Sequence, residues 1–62
     1  MTKSIELNQV QDPVYTDRTI SDLHVDGDKI MVEFLSEEGS DMVPLEDLTA
    51  DQLRALVKSL AL

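Results

Sequence analysis

Apolar and polar positions keep a short period through most of the chain and a longer one at its end. Ile5 and Leu7 alternate with Glu6 and Asn8, the pattern of a half-buried strand. Val14, Tyr15 and Thr16 also have strand composition. From Thr19 the chain reads as extended, with Ile20, Leu23 and Val25 as inward positions. Ile30, Val32 and Phe34 then fall on one face of a strand; Met31, Glu33 and Leu35 fall on the other. Residues 41–45 form a further short strand. Pro44 lacks an N–H, which places that strand at an edge or close to its end. After residue 48 the period lengthens. Leu53, Leu56, Val57 and Leu60 recur at i, i+3, i+4 and i+7, one stripe of an amphipathic helix, and Gln52, Arg54, Lys58 and Ser59 fall away from it.

The breaks between these segments carry turn chemistry. Asp12-Pro13 disfavours helix at Asp12 and favours a turn. Asp26-Gly27 between apolar runs predicts a hairpin, because glycine takes positive φ without a Cβ clash. Residues 36–40, centred on Glu-Glu-Gly, predict a second turn. Thr49 followed by Gln52 fits a capping box, with Leu48 and Leu53 placed as a hydrophobic staple. Residues 1–4 are expected to fray, and Asp17 and Arg18 to lie exposed. The order predicts an α+β fold: a small antiparallel β-meander of three or four strands, with one C-terminal α-helix packed on one face. Residues 1–62 read as a single small domain.

Length tightens this picture. A chain of 62 residues buries only about 60% of its unfolded surface, so its core is small. There is no cysteine, so neither disulfides nor thiolate metal sites are available. Tyr15 and Phe34 are the only aromatic residues. Self-association is the remaining common source of stability for so small a scaffold.

Charge then narrows the partners. Thirteen acidic residues against five basic ones give a net charge of -8. Nucleic-acid phosphates and anionic membranes are repelled, and the expected partner is another protein, with a neutral or basic surface. No apolar run approaches a membrane span, and residues 1–10 lack the apolar stretch of a signal peptide. A cytoplasmic location is the expectation.

Candidate chemistry is sparse. Asp22, Asp26, Gly27 and Glu33 fall in register with the EF-hand calcium loop, D-x-[DN]-x-[DN]-G followed by five residues and E. That spacing lets oxygen ligands converge on one cation while the last Glu closes the cage. His24 stands where an oxygen donor belongs, Lys29 adds a positive charge, and the flanks read as strands rather than helices. An ordinary hairpin is the expectation. His24 is the only histidine, expected on a polar strand face, and a ligand or base needs companions. Paired carboxylates such as Glu37 with Glu38 and Glu46 with Asp47 read as solvated turn charges. There is no glycine-rich phosphate loop. The expectation is no enzyme, no cofactor and no metal.

Seven carboxylates lie between residues 33 and 51 without a Lys or Arg: Glu33, Glu37, Glu38, Asp41, Glu46, Asp47 and Asp51. Such a block suits either a solvated face or a mimic of DNA phosphates that inhibits a nucleic-acid-binding protein. One helix cannot shield both faces of a sheet, so Met31, Leu35 and Met42, with Tyr15, are left uncovered. The leading expectation is a non-enzymatic protein–protein interaction module (adaptor, assembly factor or inhibitor) that self-associates as a homodimer. Its partner-binding set would be Met31, Leu35, Met42, Tyr15, Glu37, Glu38, Asp41, Glu46 and Asp47. The alternatives are the DNA mimic and a metal-binding hairpin between Asp22 and Glu33.

Overall fold

The computed structural model describes residues 2–60. Four antiparallel strands, β1 (Thr2–Gln11), β2 (Thr19–Asp26), β3 (Lys29–Ser36) and β4 (Gly39–Pro44), form one sheet in chain order. A 3-10 turn (Leu45–Asp47) leads into helix α1 (Ala50–Ser59), which packs on one face, chiefly over β1. This is the expected α+β meander with four strands. Met1, and the last two residues of the expected helix, lie outside the described residues.

Both hairpins are as tight as their residues allow. Asp26 pairs with Lys29, leaving Gly27 and Asp28 as the turn, and Gly27 has φ +62°. Ser36 pairs with Gly39 around Glu37 and Glu38, and Gly39 has φ +128°. These positive φ values explain both glycines, since a Cβ would be strained at either position.

Register places the faces. Residues directly opposite in an antiparallel pair share a face. The covered face carries Leu7, Ile20, Val32 and Phe34, and these pack with Leu48, Ala55 and Leu56 as the buried core. The other face carries Met31, Glu33 and Leu35, as the alternation predicted. Ile20 and Leu23 share the covered face although three residues apart. A register shift between Ile20 and Asp22 makes this possible, with Ser21 as the extra residue. A matching irregularity between Glu6 and Val10 brings Leu7 and Val10 to the same core.

Four expectations need correcting. Thr2, Lys3 and Ser4 are strand residues paired with Asp26, Val25 and His24, because the β2 edge offers its backbone groups along its whole length. Val14, Tyr15 and Thr16 are not a strand; they lie in the loop between β1 and β2. Arg18 is not exposed: only 14% of its side chain is accessible. The helix stripe is rotated. Gln52, Ala55, Leu56 and Ser59 are buried, while Leu53 and Val57 are 39% and 56% exposed.

The rotation has a polar cause. Asp12 is fully buried beneath the β1–β2 loop. Its carboxylate accepts from the Val14 amide at 2.9 Å, Arg18 Nε at 2.7 Å and Gln52 Nε2 at 3.2 and 3.3 Å. Burial opposes its charge, but the Val14 amide, Arg18, Gln52 and the Tyr15 amide outweigh it and hold the pKa below the ordinary value. Gln52 also completes the capping box: its amide N–H donates to Thr49 Oγ1 at 3.1 Å, and its side-chain Oε1 accepts from the Thr49 amide at 3.0 Å. Satisfying Asp12 turns Gln52 inward and carries Leu53 outward. Ser59 is tolerated inside because its hydroxyl donates to the Leu56 carbonyl at 2.6 Å.

Candidate functional site

Two regions remain once the core is assigned. The first is on the face away from the helix. Asp22 is paired with Glu33 across the β2–β3 hairpin and with Glu6 on β1, so three carboxylates lie side by side in one row. Like charges directly opposed in a sheet are locally unfavourable. The next row holds Ser4, His24 and Met31. His24 Nε2 lies 2.7 Å from Glu33 Oε1, and His24 Nδ1 lies 2.9 Å from Ser4 Oγ. The carboxylate accepts, so Nε2 carries a proton; in the neutral ring Nδ1 then accepts from the Ser4 hydroxyl. Asp22 Oδ1 accepts from Ser21 Oγ at 2.5 Å. The His24 and Glu33 side chains are 20% and 23% exposed, so solvent reaches the pair. One ligand atom from each of Asp22, His24 and Glu33 lies within 4.8 Å of the other two.

This cluster gives His24 the companions that sequence spacing did not reveal. The EF-hand register itself is broken. Asp22, His24 and Glu33 meet across an antiparallel ladder, not around a loop, while Asp26 pairs with Lys29 two rows away. Ser4 was missed because the first residues were expected to fray. Alternation was the available signal, since Ser4 and Glu6 share a face opposite to Ile5. A serine, histidine and glutamate in hydrogen-bonded series resemble a hydrolytic relay in outline. Two recesses among the described residues lie elsewhere, and neither is lined by Ser4, His24 or Glu33.

The second region is a groove of about 840 Å³ at the end of the sheet beside the 3-10 turn, lined by Ile30, Leu45, Leu48 and Leu53, with Asp28, Lys29 and Glu46 among its charges. Ile30 and Leu53 are 36% and 39% exposed there. Leu48, the residue before the cap, is buried, so the staple seals only its inner half.

The residues expected to bind a partner are not gathered in one place. Met31 and Met42 belong to the open face with Leu35, since Met42 pairs with Glu33 and is 47% exposed. Tyr15 lies on the other side, its ring stacked on the Arg18 guanidinium at 4.5 Å; that guanidinium also covers the Phe34 ring at 4.2 Å. Asp41 pairs with Phe34 and reaches Arg18 Nη1 at 3.4 Å. Glu37 and Glu38 occupy the β3–β4 turn, Glu46 lines the groove, and Asp47 lines a smaller recess with Tyr15 and Gln52. The run of seven carboxylates is therefore divided between faces. Glu33 is on the open side beside His24, and Asp51 pairs with Arg54 at 2.5 Å on the helix.

Comparison of the chain with models of protein families, with curated proteins and with solved structures finds no match.

Proposed function

We propose that the protein is a non-enzymatic protein-binding module, an adaptor, assembly factor or inhibitor, whose docking face is the helix-side groove. One observation carries the reading. Leu53 and Val57 stand exposed at positions that the helical period reserves for core, and Leu53 shares a groove with exposed Ile30. Large aliphatic groups left wet forgo roughly 1.5–3 kcal/mol each on full burial. A partner side chain seated on Leu53 and Ile30 recovers the share of that term that their remaining exposed surface holds.

The partner is a protein with an apolar ridge flanked by basic residues. The net charge of -8, and Asp28 and Glu46 at the groove, favour a cationic rim. No helix among the described residues is long and apolar enough to cross a membrane. Among the described residues every buried side-chain polar atom has a hydrogen-bond partner. The division of the acidic run between faces favours this reading over a mimic of a phosphate row. A second copy of the chain fits the apolar half of the argument, while charge repulsion opposes it.

Affinity capture from the native host, with wild type and Leu53→Asp side by side, tests the proposal. A basic partner retained by wild type in 0.5 M salt and lost by the variant is the expected result, because salt at that strength screens surface charge within a few Å. Equal capture by both would overturn the groove as the docking face. Sedimentation equilibrium over a concentration series separates the second copy from a foreign partner.

A further inference from the structure

We propose that Asp22, His24 and Glu33 form a binding site for a first-row divalent transition cation, of the zinc or cobalt class. The site lies on the open face and does not depend on the groove. Its donors are one imidazole nitrogen and two carboxylate oxygens, already within 4.8 Å of one another. Nitrogen with carboxylate oxygen suits a borderline cation of this class; calcium takes six to eight oxygens, and this cluster supplies few.

Two further features point to a cation. Glu6, Asp22 and Glu33 are directly opposed along one row, and the paired positions set like charges against each other. A divalent ion between Asp22 and Glu33 relieves that repulsion. The second feature is Ser4, whose hydroxyl lies 2.9 Å from His24 Nδ1. A hydroxyl both donates and accepts. Without an ion Ser4 donates to Nδ1 and Nε2–H donates to Glu33. With an ion the proton sits on Nδ1, the Ser4 hydroxyl accepts a hydrogen bond from Nδ1–H, and the Nε2 lone pair faces the metal. Metal-bound histidines typically hold their second nitrogen in this way.

Binding calls for side-chain rearrangement, since ligand atoms as far as 4.8 Å apart must close to the spacing of donors around one ion. Donors about 2.1 Å from a tetrahedral ion stand about 3.4 Å apart. The His24 Nε2 to Glu33 Oε1 distance of 2.7 Å must therefore widen by a fraction of an ångström. Both side chains are partly exposed, so rotamer adjustment suffices.

The test is NMR titration of the full chain with zinc chloride and, separately, calcium chloride at physiological salt. Zinc is expected to give saturable one-site shifts at Asp22, His24 and Glu33, while millimolar calcium leaves them in place. His24→Gln is expected to weaken zinc binding at least tenfold, and Ser4→Ala about tenfold through the lost support of the ring. Glu37→Gln, at the distant β3–β4 turn, should change nothing. Unchanged affinity in His24→Gln, or an equal loss in Glu37→Gln, would show diffuse attraction to an acidic surface and overturn the site. If His24→Gln folds poorly, cobalt in the wild-type protein decides. Selective paramagnetic broadening of the His24 ring supports the site, and its absence rejects it.

Discussion

Two polar clusters sit on opposite faces of the same sheet. Asp12, Arg18 and Gln52 lie under the loop on the helix side; Asp22, His24 and Glu33 lie on the open side. Each joins a carboxylate to a nitrogen donor on another element of the fold. They differ in burial and in what they leave over. Asp12 has no accessible surface and takes every donor within reach. The open cluster is solvated and has more carboxylates than cations. A buried charge must be fully paired, so its geometry is committed to the fold. A solvated cluster tolerates a surplus, and the surplus is what a ligand can use.

The largest expected effect is at Arg18. Arg18→Ala leaves the Asp12 carboxylate buried without its cation and uncovers the Phe34 ring. Removing one partner of a buried pair typically costs about 3–5 kcal/mol. A domain of this size has roughly 3–9 kcal/mol in total, so the variant should lose about a third of its stability or more. Urea denaturation followed by circular dichroism measures this. A loss under 1 kcal/mol would make the Asp12 cluster no more structural than the open one.

The same carboxylate sets a pH limb. Its folded pKa lies below the ordinary 3.8, so the unfolded chain binds the proton more readily. The stabilisation is whole above the unfolded value and is lost as pH falls through the folded one. The Asp12 carboxyl carbon should titrate in NMR with a midpoint under 3.8. A midpoint above it would mean that burial outweighs the four donors.

Local chemistry made much of the fold legible. Gly27, the Glu37-Glu38-Gly39 turn and the Thr49–Gln52 box each act within a few residues, and all three form where the sequence placed them. The alternation of Ile30, Val32 and Phe34 fixed the faces of β3. What stayed hidden depended on long-range partners. Gln52 reads as a surface residue until Asp12, forty positions earlier, is brought above it. That one contact rotates the helix stripe and exposes Leu53 and Val57. The open cluster was hidden differently. Asp22 and Glu33 stand out in the sequence only at the spacing of a loop; the ladder register, with Ser21 as an extra residue, shows that they face each other.

The helix phase is a second way to break the comparison, with a somewhat smaller effect. Leu56 is 6% exposed and Val57 56%, although the sequence pattern assigns both to the core. Leu56→Ala should cost about 2–5 kcal/mol and Val57→Ala within about 0.5 kcal/mol. Equal losses in urea titrations would mean that the helix packs in the phase its apolar spacing suggests. Asp12 would then have to do without Gln52.

The smallest effect is expected at Glu33, and it bears most directly on the difference between the clusters. The His24–Glu33 pair is solvated, and such pairs contribute about 0–1 kcal/mol. Glu33→Gln keeps an oxygen to accept from His24 Nε2. It also removes one of three neighbouring carboxylates in the row with Glu6 and Asp22. Relief of like-charge repulsion and loss of the charged hydrogen bond act in opposite directions, each at the scale of a few tenths of a kcal/mol for cross-strand pairs. The stability of Glu33→Gln should therefore match wild type within about 0.5 kcal/mol, in urea and without added metal. Higher salt should narrow the difference further, because both effects are screened. A loss above 2 kcal/mol would place Glu33 with Asp12, as a charge the fold depends on. The open cluster would then have no surplus to offer a cation.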